Sequence, residues 1–232
     1  MMRKNTNPTL QDVARIAGVS PYTVSSVLNG SRSNTRVSPA TRVRIEEAAR
    51  TLSYHPNATA RSLVTRTTRI IGVLIPFVLS SAEAFSDDYA SAILAGITEQ
   101  AAADGYDILH YTQIWRDDAA SVARFRDRRT DGVLVVAPLT GSDVIEALSA
   151  LDIPVVAVSA LPLPYTATAP TGIGFVDVDN AAGIRLAVEY LLHLGHTRIA
   201  HLSGEWNSAS AVQRRSAWES VLGEHGVSAP SD

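Results

Sequence analysis

Few residues in this 232-residue chain are spaced for bond-making chemistry. Cysteine is absent, which removes disulfides, thiolate metal sites and a thiol nucleophile. His193 and His196 bracket a Leu-Gly step at the end of a predicted helix, with no carboxylate or third ligand nearby. That spacing suits a surface turn better than a metal site. Gly172 and Gly174 precede a strand instead of opening a helix, and no Gly-x-x-x-x-Gly-Lys-Ser/Thr loop occurs, so nucleotide binding has little support. No Ser/His/Asp grouping can be argued from the order of residues. The expectation is therefore no enzyme, no metal and no cofactor.

The chemistry that the residue types do offer is electrostatic. Positions 1–69 hold eleven Lys/Arg against three acidic residues (Asp12, Glu46, Glu47), a net of +8, whereas 70–232 hold nine Arg against twenty acids, a net of −11. Such a split points to two modules with different partners. A compact basic module suits a polyanion, because each phosphate it neutralises releases condensed counterions; the alternative is a merely soluble basic arm. Overall hydrophobic content of 46% with 19% charged residues is that of a globular protein and not of a disordered one. No stretch approaches the roughly 20 apolar residues of a membrane span, so no membrane partner and a cytoplasmic location are expected.

The elements that position this charge can be read from caps and periodicity. Thr9 and Asp12 form a capping box, Leu10, Val13, Ala14, Ile16 and Ala17 supply an apolar face, and Gly18 ends the first helix. Ser20 and Pro21 start a second helix as N-cap and first helical residue; Val24, Val27 and Leu28 are its buried side, and Asn29-Gly30 stops it. Ser38-Pro39 repeats the start signal, with Val43, Ile45, Ala48, Ala49 and Leu52 as the core face of a third helix. Two short helices joined by the tight turn Ala17-Gly18-Val19-Ser20 and braced by a third follow the helix-turn-helix plan, a generic three-helix bundle being the alternative. The nine residues 56–64 read as a helix too short to stand alone in water, followed by a polar linker to Arg69.

From Ile70 the pattern becomes that of an α/β domain. Strands are predicted at 70–75, 107–111, 133–136, 155–158, 174–176 and 199–202, with helices at 89–103, 119–128, 142–151, 180–194 and 210–225. Continuous Val/Ile/Leu strands between amphipathic helices predict a parallel sheet covered on both faces, with ligands beyond the carboxyl ends of its strands.

Taken together, several runs resemble the LacI/GalR family of repressors: residues 9–14, 17–20, 23–25, 27–30, 36–38, 41–42, 52–54, 56–57 and 60–63, then Ile71-Gly72-Val73, Asp131-Gly132, Ile153-Pro154-Val155-Val156, residues 194–200, and Arg214 with Ala217-Trp218. The resemblance implies an all-α helix-turn-helix headpiece (1–55), a hinge helix and linker (56–69), and a periplasmic-binding-protein-like α/β sensor domain (70–232), with a first lobe at about 70–160 and a partial second lobe at about 161–232. It implies a repressor-type regulator that binds a palindromic double-stranded DNA operator as a homodimer. Pro21, Tyr22 and Ser26 would meet base edges, and Ser20, Thr23, Ser25 and Asn29 phosphates. Thr9, Leu10, Arg36, Ser38 and Thr41 join them as DNA-contacting positions. Ser26 cannot grip a guanine as an arginine could, so a half-site preference is not carried over. Loop 31–36, with Arg32 and Arg36, either adds backbone contacts or is simply solvated. In the hinge, Leu63 matches the leucine that wedges into the central base step from the minor groove, with Tyr54, Asn57 and Ala60 as its neighbours; ordinary core packing is the alternative for Leu63.

For the sensor, the resemblance implies a small-molecule effector, often a sugar or nucleobase, held near Phe77, Leu79, Asp88, Tyr89, Ser159, Trp206 and Arg214. Carboxylates and arginine can hold hydroxyls there while aromatic faces stack on a ring. Ser159 stands where relatives commonly carry Asp. The chain stops near the middle of the second lobe, so that lobe is expected to have two or three strands with an exposed edge, and truncation is the favoured explanation. The readings that remain open are a full regulator, a DNA-binding fragment without effector response, and a small-molecule-binding protein or enzyme of α/β fold.

Overall fold

The computed structural model describes residues 8–29, 37–76, 87–117, 119–160 and 172–228. The chain divides into two compact units, Met1–Thr68 and Arg69–Asp232.

In the first unit, α1 (Leu10–Ala17), α2 (Pro21–Leu28) and α3 (Pro39–Thr51) each begin at a hydroxyl cap. The Thr9 hydroxyl accepts from the Asp12 amide at 3.3 Å while Asp12 Oδ2 accepts from the Thr9 amide at 3.0 Å, a reciprocal capping box. Ser20 and Ser38 accept from the amides three residues on, each at 3.2 Å, with Pro21 and Pro39 opening the helices. Gly18 leaves α1 at φ +64°, the left-handed conformation a non-glycine residue adopts only with strain. The three helices close over Val13, Ala14, Ala17, Val24, Val27, Ile45, Ala48 and Ala49.

Two residues expected in this core lie outside it: Ile16 and Val43 are about half exposed. At about 100° per residue, Val43 sits about 160° around α3 from Ile45 and Ile16 about 60° beyond the edge of the stripe set by Val13. Apolar type alone placed them; helix angle decides otherwise. A fourth helix, α4 (Ala58–Thr65), is capped by Asn57, whose Oδ1 accepts from Thr59 N at 2.9 Å and Ala60 N at 3.2 Å, and ends at Arg66 in a left-handed turn.

The second unit is built on five parallel strands, β1 (Ile70–Leu74), β2 (Asp107–Tyr111), β3 (Gly132–Val136), β4 (Val155–Val158) and β5 (Ile173–Val176), in the order β2-β1-β3-β4-β5. The helices are α5 (Asp88–Ala103), α6 (Ala119–Ala123), α7 (Val144–Ser149), α8 (Asn180–His193) and α9 (Ala209–Glu224). One face of the sheet buries Leu74, Tyr111, Val133, Val135 and Val155 under Trp115, Phe125, Val144 and Leu148. The other buries Val73, Ile75 and Val136 beneath Ile93, Leu94 and Ile97 of α5, the double covering a parallel sheet requires. The order of the strands reverses between β1 and β3, where doubly wound sheets open a crevice at their carboxyl ends.

Three expectations need correction. The helix predicted over 119–128 stops at Ala123; the amides of Phe125 and Arg126 bond three residues back, and these tight turns swing Phe125 into the core, 4.2 Å from the Tyr111 ring centroid. The strand expected to follow the start of the second lobe near 161 is instead β5, hydrogen-bonded to β4 and therefore the fifth strand of the first sheet. Residues 199–202, expected as a further strand, form none: no described strand lies beside them, so their amides have no ladder to join. The second lobe thus holds no strand among the described residues. It consists of α8 and α9, packed through Val188, Trp218, Val221 and Leu222 around Ile199 and pinned by Arg185, whose guanidinium meets Glu224 at 2.6 and 2.9 Å.

Candidate functional site

On the headpiece, the turn between α1 and α2 leaves the first turn of α2 facing solvent. Pro21 is exposed and Tyr22 is 63% exposed, while Val24 and Val27 on the opposite side are buried. The polar groups of α2 and α3 are organised within their own helices. Ser20 and Thr23 share a hydrogen bond at 2.9 Å, Asn29 Nδ2 donates to Ser25 Oγ at 3.0 Å, and Ser38 pairs with Thr41 at 2.9 Å. Ser26 is half-buried on the same helix. Thr9 is exposed at its cap, whereas Leu10 and Tyr54 lean their side chains on the headpiece core. Arg36 lies outside the described residues.

The hinge residues are arranged differently. Asn57 is spent on capping α4, Ala60 is exposed, and Leu63 projects a 79% exposed isobutyl group from a helix with no buried residue among those described. Core packing, the alternative reading of Leu63, has no support in such exposure.

At the carboxyl edge of the sheet, several candidate effector residues converge. Tyr89, in the first turn of α5, hydrogen-bonds through its hydroxyl to Ser159, which follows β4 and is 6% exposed. Asp88 is exposed beside it, and Asp87 caps α5 by accepting from the Ala90 amide at 2.7 Å. The loop after β3 is joined to the second lobe through Thr140 N, which donates to the carbonyl of Asn207 at 2.7 Å. The neighbouring Trp206 is 86% exposed. Arg214 lies on α9 with its Nε donating to the Ser210 carbonyl at 3.1 Å. Phe77 and Leu79 lie outside the described residues.

One residue of this edge escaped the sequence reading. Asp177 follows the last residue of β5; burial pushes its carboxyl above the usual range, and the Val178 amide and the Arg214 charge offset this only in part. Its position directly after an apolar strand, at the end where ligands bind, was the available signal. Among the described residues no group of three or more His, Asp or Glu could hold a metal ion, and no helix is long and apolar enough to cross a membrane.

Comparison with known proteins agrees with both units. Residues 9–57 match the model of bacterial regulatory proteins of the lacI family, and residues 71–231 match that of periplasmic binding proteins and the sugar binding domain of the LacI family. The transcriptional repressor PurR of Vibrio atlanticus (strain LGP32) is 33% identical over 228 residues, 95% of this chain and 62% of its own. The regulator GalR of Escherichia coli (strain K12) is 29% identical over 95% of this chain and 60% of its own. Among solved structures, a lac repressor dimer bound to operator and the anti-inducer ONPF superposes with a TM-score of 0.76 at 30% identity, covering 97% of this chain and 64% of that one. A complex of the transcriptional regulator CelR with cellobiose gives 0.57 at 26% identity, covering 97% and 63%. The chain therefore spans a little over three fifths of the length of these relatives. A helix-turn-helix headpiece ahead of an α/β sensor domain with a parallel sheet, matched end to end by these proteins, makes this chain a member of the LacI family of bacterial regulatory proteins.

Proposed function

We propose that this chain is a sequence-specific, repressor-type transcriptional regulator of the cytoplasm that binds a pseudo-palindromic operator as a homodimer. Residues 1–55 act as the DNA-reading headpiece, 56–69 as hinge and linker, and 70–232 as the effector-sensing and dimerisation domain. The observation that carries this reading is the solvent-facing start of α2, with Pro21 and Tyr22 exposed on a rigid, triply capped helical frame within residues 1–69, which hold a net charge of +8. A major groove admits one helix, and side chains near its N-terminus reach base edges there. Tyr22 offers its ring to a thymine methyl or its hydroxyl to an acceptor; Ser20, Thr23, Ser25, Asn29, Ser38 and Thr41 offer hydroxyl and amide groups to phosphates.

Leu63 and its partner's counterpart insert at the central base step, which the exposure of Leu63 supports. The sensor takes a small molecule at the carboxyl edge of the sheet, in the region of Asp88, Tyr89, Ser159, Trp206 and Arg214. The cellobiose held by the structurally similar CelR favours a sugar. Selection of bound duplexes from a random library at low and at physiological salt tests the reading. A palindrome with a fixed central step is the expected product. Single half-sites, or binding that vanishes with salt, would reduce the chain to a DNA-binding module without a working dimer.

A further inference from the structure

Asp177 presents a carboxylate that the described protein satisfies on one oxygen only. Its Oδ1 accepts from the Val178 amide at 2.8 Å, whereas Oδ2 is buried and has no hydrogen-bond partner. Ionised carboxylates only accept hydrogen bonds, so this oxygen calls for a donor. Its surroundings are built. The Ser159 amide donates to the Val176 carbonyl at 2.7 Å, setting Asp177 across from the Tyr89–Ser159 pair. On the other side, Asn180 Nδ2 donates both to the Val178 carbonyl at 3.3 Å and to Gln213 Oε1 at 3.0 Å, which fastens α9 to the corner that follows Asp177. Arg214 is the next residue on α9, close enough for its charge to act on Asp177 but joined to it by no ion pair.

We propose that Asp177 is the charge-selecting group of the effector site: it takes a hydroxyl of a neutral polyol on Oδ2, and it shares the Arg214 charge so that phosphorylated or carboxylated effectors are refused. This rests on the reading of residues 70–232 as an effector sensor. One hydroxyl donates to Asp177 while a neighbouring sugar oxygen accepts from the Arg214 guanidinium, so both protein charges are used without a charged ligand. An anion could pair with Arg214 only by displacing that balance and facing the bare Asp177 oxygen at close range, where like charges are costly in a partly desolvated setting.

The test is isothermal calorimetry and thermal melting of the whole chain with cellobiose, galactose, glucose and glucose 6-phosphate. Wild type should bind at least one neutral sugar and not the phosphate. Asp177→Asn keeps the shape and loses the charge; it should weaken that sugar about tenfold or more and gain measurable glucose 6-phosphate binding, with melting confirming that it is folded. Asp177→Ser should show the same direction. Unchanged sugar affinity in both variants, or wild type binding the phosphate better than glucose, overturns the inference and leaves the sensor reading standing. No response of wild type to any of the four sinks the sugar-sensor reading and the inference together.

Discussion

Replacing Leu63 by alanine separates what the headpiece needs in order to fold from what the proposed operator binding needs. Full burial of a leucine side chain is worth about 1.5–3 kcal/mol. With Leu63 79% exposed, the folded protein keeps only about a fifth of that, near 0.5 kcal/mol, and alanine recovers part of it as the better helix former. The melting temperature should therefore barely move. On DNA, the remaining four fifths becomes available as the leucine enters the base stack, roughly 1–2.5 kcal/mol per protomer and twice that for a symmetric dimer. Sparing the duplex its unstacking cost returns some of this. The net expectation is a loss of about a hundredfold in Kd, at about 1.4 kcal/mol per factor of ten, on a duplex recovered by selection. Circularly permuted fragments should show the bend abolished, and anisotropy titrations at low salt should show nonspecific binding unchanged. A melting temperature several degrees lower with an intact bend and Kd would refute the reasoning, since it would make Leu63 a packing residue.

Three further perturbations probe the frame. Thr9→Ala removes the reciprocal cap between Thr9 and Asp12 and should cost the headpiece about 1 kcal/mol in urea denaturation; an unshifted midpoint would count against the cap. Gly72→Ala places a Cβ 2.7 Å from Tyr111 Cε2 and 3.3 Å from Thr130 Cγ2 and Val133 Cγ2, an overpacking that should destabilise the sheet by about 1–3 kcal/mol; a stability equal to wild type would mean that the β1–β2 approach relaxes freely. Glu224 is held down to about 2 from its ordinary 4.5 by the Arg185 guanidinium and by Ser220. A depressed acid stabilises the fold above its unfolded value and loses that contribution as pH falls through the folded one. Glu224→Gln should therefore melt slightly below wild type at pH 7, a small gap for so exposed a pair, and the gap should close between about pH 4 and 2. A gap that survives at pH 2 would rule out the ion pair as its source.

The headpiece was legible because its instructions are local. Thr9, Ser20 and Ser38 cap the helices that follow them, Pro21 and Pro39 occupy first helical positions, and Gly18 takes the left-handed turn, all within a few residues of the element they govern. Ile16 and Val43 were misjudged because apolar character was counted without its angle around the helix. Strands β1, β3 and β4 were visible as Val/Ile/Leu-rich runs and β2 as an Ile-Leu pair between polar residues, but which sheet β5 joins depends on β4, a separate element. Residues 199–202 look like a strand in composition and lack one in fact, since a strand is defined by a neighbour and not by its own residues. The candidate effector edge was not legible as an assembly: Tyr89 and Ser159 lie 70 positions apart, and the bare oxygen of Asp177 is a property of everything around it.

The unladdered stretch at 199–202 has a consequence for how the protein behaves as a solute. No backbone hydrogen bond links it to another described segment, and Leu202 is 98% exposed. Its amides should exchange with solvent deuterium within the earliest time points, while those of β1 and β3, hydrogen-bonded on both sides, stay dark for far longer. Its unbonded backbone groups, beside the exposed Ala200 and Leu202, are open to pairing with another chain segment. Shelf life and working concentration of this chain should therefore depend on residues 199–202.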